Sequence, residues 1–360
     1  MSRLTVARSW VGQQWNWIGQ QRNWIRERRN PRRRDAVRSA QHHLRLPRTL
    51  SRSRKQRGSV WAVSIVKNEI DVVEWSIRHQ LEQGIDAVLI ADNGSTDGTV
   101  DVLMDLARDL PIHVAVDEWP AWDQAVKTTL LAGEARRAGA DWVIPFDADE
   151  FWFALGVSVA EHLRRSTATV EVAQMHNLFP LADGAEASWP KTVYRLDSTP
   201  SSYEKVAFRS HRTLSVSAGN HDVYRWGRRQ TGLRIAHLPW RSFEQMERKA
   251  AQGAAATAAA GLPSGVNKHW AALAALPRED QLQRWQQILA GQPADGAEWS
   301  PVGPFIEVSP LTWPTWDPDG LIARHEGRHD NRGERQQRSS PSGTPSQNVS
   351  PTREAPETTP

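Results

Sequence analysis

Apolar residues run almost unbroken through residues 60–66 (VWAVSIV), 87–91 (AVLIA), 112–116 (IHVAV) and 142–146 (WVIPF). Short apolar runs bounded by turn formers read as buried strands. Between them the period changes. Val73, Ile77 and Leu81 fall at i, i+4 and i+8 within residues 70–83, and Gly84 follows as a stop, so this stretch predicts a helix. Residues 100–110 and 123–138 read as two further helices. Strand alternating with helix predicts an α/β fold, a mostly parallel sheet with helices on both faces. Past Trp152 the pattern is irregular, with short strand candidates in VEVAQM and KVAFR. Ser242, with Gln245 three residues on, then forms a capping box ahead of an Ala-rich helix.

Charge divides the chain differently. Residues 1–57 hold 16 Arg and Lys against Glu27 and Asp35, a balance of +14, which leaves −10 for the rest of a chain whose total is +4. Within this basic leader Trp10, Trp17 and Trp24 recur every seven residues, each followed by Val or Ile. On a helix they make one apolar stripe suited to an anionic membrane surface through residues 8–28. A helix docked on the protein's own body, or a disordered arm, fits the same pattern. Nucleic acid is not expected as a partner. The expected domains are the leader (1–57), a globular body (58–323, dividing near 153) and a polar, disordered tail (324–360). No run reaches the ~20 apolar residues that span a bilayer, so the expected location is cytoplasmic, with peripheral contact on the membrane's inner face. The absence of cysteine excludes disulfides, thiolate metal sites and cysteine nucleophiles.

Ligands of a parallel α/β sheet bind beyond the carboxyl ends of its strands. Those ends carry Asn68 and Glu69, then Asp92, then Asp147 and Asp149. Asp147 and Asp149 are two apart, so in extended backbone they point the same way and can share a hard divalent cation, Mn2+ or Mg2+, that carries a diphosphate. No Gly-rich phosphate loop is present, which argues against a dinucleotide dehydrogenase or a P-loop enzyme.

The segments VSIVKNEIDVVEWSIRHQLEQGIDAVLIADNGSTDGTVDVL and DWVIPFDADEF resemble the family 2 glycosyltransferases of GT-A fold. KVAFRS, GNHDV and AHLPWRSFEQMERKAAQG resemble the branch with Asp-Ala-Asp-Glu-Phe after the fourth strand, and the likeness spans roughly residues 60–275. It implies a metal-dependent, inverting transfer of a sugar from a nucleotide-sugar donor to a glycan or glycolipid acceptor. Carried over, Asn68 and Glu69 line the nucleotide pocket, Asp92 meets the base or ribose, Asp147 the ribose or the metal, and Asp149 is the principal metal ligand. Family members often add a late histidine, for which His221 is the first choice and His237 the alternative. Arg241 and Lys249 can face the diphosphate. The acidic pair that commonly supplies the base is missing, and Glu204 and Asp222 are its substitutes. Each assignment has a structural competitor: Glu69 as a first-turn acid, Asp92 and Asp97 as turn caps, Glu150 as a solvated neighbour. Other functions considered are sugar-phosphate nucleotidyl transfer and a non-catalytic relative.

Overall fold

The computed structural model describes residues 31–119, 123–181, 193–259 and 268–326. The Trp-repeat segment and residues 327–360 of the expected tail lie outside them. The chain forms two compact units, 1–318 and 319–360; of the second, residues 319–326 are described and are helical.

In the first unit, helix α1 (Pro31–His43) leads into the short strand β1 (Leu44–Arg45). There follow β2 (Val60–Val66), α2 (Val73–Glu82), β3 (Ala87–Asp92), α3 (Thr99–Asp109), β4 (Ile112–Asp117), α4 (Gln124–Arg137), β5 (Trp142–Pro145) and β6 (Glu150–Ala154). Strands β4, β3, β2 and β5 lie side by side and parallel, as the apolar runs predict. Every residue of β2 and β3 is buried, because helices cover both faces. Val63, Ile65, Leu89, Val143 and Leu131 share one core.

The second half extends this sheet with α5 (Val159–Arg165), β7 (Val170–Phe179), β8 (Tyr194–Asp197), β9 (Glu204–Arg209) and β10 (Arg229–His237). The order is β1-β4-β3-β2-β5-β9-β7-β10-β6. Helices α6 (Phe243–Ala259), α7 (Lys268–Ala274) and α8 (Arg278–Leu289) follow, and β11 (Phe305–Val308) pairs with β8. Trp240, Phe243, Met246, Trp285 and Ile288 make a second core beneath them.

The globular body does not begin at residue 58. Leu44 and Arg45 pair antiparallel with Asp117 and Val116, Ala40 is buried, and Leu44 and Leu50 pack on the sheet's core. Half of the expected leader therefore covers the β4 edge, which would otherwise present unpaired backbone. Among the described residues no helix is long and apolar enough to cross a membrane.

Candidate active site

Register brings the chemistry to one rim. In the antiparallel pairing of β10 with β6, His237 stands opposite Glu150; in the parallel pairing with β7 it stands opposite Asn177. The turn from β5 to β6 supplies Asp147 and Asp149 at the same end, where the backbone N–H of Glu150 donates to the Asp147 carbonyl at 3.0 Å. That turn corrects the expectation of two aligned carboxylates: the backbone is not extended there, so the side chains part.

Asp147 accepts from Gln124 (2.8 Å), Asn220 (3.2 Å) and Lys205 Nζ (2.7 Å). Asp149 accepts instead from Lys249 Nζ at 2.5 Å, with His237 Nε2 3.8 Å and Arg241 Nη1 3.9 Å away. Lys205 also reaches Glu150 at 2.6 Å. Thus the positive charge that makes three neighbouring carboxylates tolerable is a pair of lysines, one from β9 and one from α6. Burial raises the Asp149 pKa, but Lys249 first, and Arg241 with it, outweigh burial and hold the carboxylate ionised, well below its ordinary range. Burial pushes Glu150 up to about 8; Lys205 opposes this, while Asp147 and Asp149 reinforce it. Burial also lowers His237 to about 3, leaving a neutral ring whose Nδ1 lies 2.9 Å from Asn177 Oδ1.

Arg241 is buried and forked. Its Nε and Nη2 donate to Asp71 at 2.7 and 3.0 Å, and Nη2 donates to Glu69 at 2.6 Å. Its Nη1 is buried without a hydrogen-bond partner. Burial raises the Glu69 pKa despite Arg241, whereas for Asp71 the paired guanidinium outweighs burial and lowers it.

Asn68 adopts φ 56°, where its Oδ1 accepts from Thr96 N (2.7 Å) while its own N–H donates to Ser95 Oγ (2.9 Å). It ties two strand-end loops together. Asp92 Oδ2 accepts from Gly94 and Ser95 N–H groups, both at 3.0 Å, so it caps its turn; its Oδ1 is buried and unpartnered. Asp97 caps Thr99 through both N–H and hydroxyl, in line with its turn reading.

Beside Lys249, Trp240, Trp270 and Trp299 form a box with centroid separations of 5.6–6.0 Å. Lys249 Nζ lies 5.7 Å from the Trp299 ring and 5.9 Å from that of Trp240. Glu298 joins this wall: Tyr203 Oη donates to it at 2.8 Å and His269 Nε2 lies 2.7 Å away. Burial raises its pKa, but the bonds from His269 and Tyr203 prevail and keep it ionised. Asn68, Asn220 and Trp299 are the only non-glycine residues with left-handed φ among the described ones, and all three border this rim. Backbone strain of that kind gathers at functional sites.

Two expected residues fall outside the cluster. Asp222 pairs with Arg229 at 2.8 Å, at the end of β10 far from His237, and Glu204 is exposed. His221 stacks on Tyr203 at 5.0 Å, with Nδ1 2.8 Å from the Glu204 carbonyl, and burial lowers its pKa.

The acidic donors at this rim are already engaged by lysines. Oxygen chemistry suits Mn2+ or Mg2+, yet Lys249 and Lys205 already occupy Asp149 and Asp147. Among the described residues no group of three His, Asp or Glu is placed to hold an ion. Asp147, Asp149 and His221, or His237 in its place, are not gathered into one set among the described residues.

The comparisons meet this geometry. The family model for glycosyl transferase family 2 matches residues 61–161, which span β2 through the start of α5. Over these residues the chain is similar to family 2 glycosyl transferases. In this segment strands and helices alternate around the parallel strands β4, β3, β2 and β5. Among solved structures, S. aureus TarS residues 1–349 is 13% identical, covering 64% of this chain and 74% of that one at a TM-score of 0.33. The same protein in complex with UDP-GlcNAc is 11% identical, covering 64% and 75%, at 0.34. A mycobacterial protein is 13% identical, covering 57% and 76%, at 0.28. No curated protein matches the chain.

Sequence reading missed Lys205 and Glu298 as members of this cluster. The signal for Lys205 was a lysine opening a strand that starts beside the acid rim. Glu298 gave none, since it lies in an irregular segment about 150 residues from Asp149.

Proposed function

We propose that the enzyme transfers a sugar from a nucleotide-sugar donor to a glycan or glycolipid acceptor, with inversion at the anomeric carbon. The observation that carries this reading is the convergence of Asp149, Lys249 and Arg241 with the tryptophan box and Glu298 on one rim of a family 2 sheet.

Bond cleavage places growing negative charge on the leaving diphosphate, and a preorganised cation lowers that barrier. Lys249 and the unpartnered Nη1 of Arg241 are the donors for it. Asp149 aims the Lys249 ammonium, and Glu69 and Asp71 orient the Arg241 guanidinium. The half-buried Trp270 and Trp299, backed by the core residue Trp240, contact the acceptor sugar. Glu298, ionised and oriented by Tyr203 and His269, takes the acceptor hydroxyl's proton as that oxygen bonds to the anomeric carbon. The electron pair of the breaking bond leaves with the diphosphate.

A screen of UDP-, GDP- and dTDP-sugars for release of free nucleoside diphosphate tests the reading. One donor is expected to turn over, and Glu298→Gln to lower its kcat by about 10²–10⁴-fold with donor binding retained. Failure of every donor, or an unchanged kcat in Glu298→Gln, would overturn it.

A further inference from the structure

At the opposite end of β5 from Asp149 lies a cavity of about 650 Å³, within the usual size range of small-molecule sites. Its wall is cationic: Arg52 and Lys55 from the strap before β2, Arg136 and Arg137 from the last turn of α4, and His211 and Arg212 after β9.

Two acids stand near these cations, and both are committed. Glu134 pairs with Arg137. Asp141 accepts from Lys55 (2.7 Å), Arg209 (2.8 Å) and the Gly58 N–H (3.0 Å). Arg52, Arg136, Arg212 and the neighbouring Arg225 form no ion pair among the described residues, and the Nε atoms of Arg136 and Arg225 are buried without a partner. Last-turn arginines are favoured by the helix dipole, but that accounts for Arg136 and Arg137 alone. The other cations come from separate segments that the fold brings together.

The wall is also held in place. The Ser53 N–H donates to the Arg137 carbonyl at 2.9 Å, and that of Gln56 to the Gly139 carbonyl at 2.9 Å. Ser210 donates through its hydroxyl to the Ala140 carbonyl at 2.6 Å and through its N–H to the Asp141 carbonyl at 2.7 Å. Like charges fixed at close quarters repel, and the body of this protein is otherwise acidic. The repulsion registers on His211, whose pKa is lowered first by burial and then by Arg225, Arg212, Arg136 and Lys55.

We propose that this cavity is a second anion site, for two or more phosphate groups held close together on one soluble molecule or on adjacent lipid headgroups, separate from the donor site at the other rim. Guanidinium forks match phosphate oxygens. The phosphates can belong to a free metabolite or to a lipid headgroup.

Calorimetric titration with inorganic tripolyphosphate, together with co-flotation on phosphatidylglycerol and phosphatidylcholine vesicles, tests this. Arg52→Gln with Arg212→Gln removes two exposed cations without touching the core, and Lys249→Met controls for binding at the donor site. Tripolyphosphate is expected to bind the wild type and Lys249→Met alike, and the double variant about tenfold or more weakly. Flotation on phosphatidylglycerol alone that the double variant loses assigns the phosphates to lipid. Tripolyphosphate binding without such flotation assigns them to a soluble ligand. The proposal is overturned if neither probe binds, if the double variant binds as the wild type does, or if Lys249→Met abolishes binding.

Discussion

His79 shows what one buried side chain imposes on the whole. It lies between the rings of Phe151 and Phe153, with Nε2 2.8 Å from the Trp152 carbonyl, and burial lowers its pKa to about 4. The folded-state pKa is below the unfolded one, so the native ring stays neutral where the unfolded ring takes a proton. Its contribution is present above pH ~6.5 and is lost as pH falls toward 4, at up to about 1.4 kcal/mol per unit. Urea unfolding at pH 8 and pH 5 should show a drop that His79→Gln reduces by about 2 kcal/mol. Equal drops in both proteins would contradict this. At the same scale, Asp149 and Arg241 were legible in the sequence as members of the site. Their partners were not: which lysine meets which carboxylate depends on a turn and on a helix a hundred residues away.

Among elements, α6 matters most to the site because it carries Lys249. Its first turn is capped as the Ser-x-x-Gln pattern predicts: the Gln245 N–H donates to Ser242 Oγ at 3.1 Å, and Gln245 Oε1 accepts from the Arg241 N–H at 3.1 Å. Ser242→Ala should therefore cost about 1 kcal/mol in the unfolding midpoint and also weaken donor binding by displacing Lys249. A loss of stability with unaltered binding would detach the helix from the site. The strands β2 to β5 were readable to within a residue, because continuous apolar runs have few alternatives. The second half was not, since β7, β9 and β10 pair out of sequence order and local pattern carries no record of that.

For the molecule as a whole, charge misled about where the body starts. Residues 31–57 read as part of a basic leader, yet they supply α1, β1 and the strap over the second anion site. Deleting 1–57 should strip Ala40, Leu44 and Leu50 from the core, costing about 2–4 kcal/mol, and should uncover the β4 edge to self-association. Deleting 1–30 should leave that edge covered. Equal urea midpoints for the two truncations would return residues 31–57 to the role of a dispensable arm. The same wide view frames the active rim, where cations from β9, α6 and the chain before α6 converge on acids from β5 and β2. The central claim is that Lys249, fixed by Asp149, is the cation that meets the donor's diphosphate. Its most direct measurement is the Kd of UDP and GDP for wild type and Lys249→Met, each with and without chelator. The account predicts tight binding of one nucleotide that changes less than about twofold with chelator and weakens about 10- to 100-fold in Lys249→Met. Binding abolished by chelator and unaffected by Lys249→Met would contradict it.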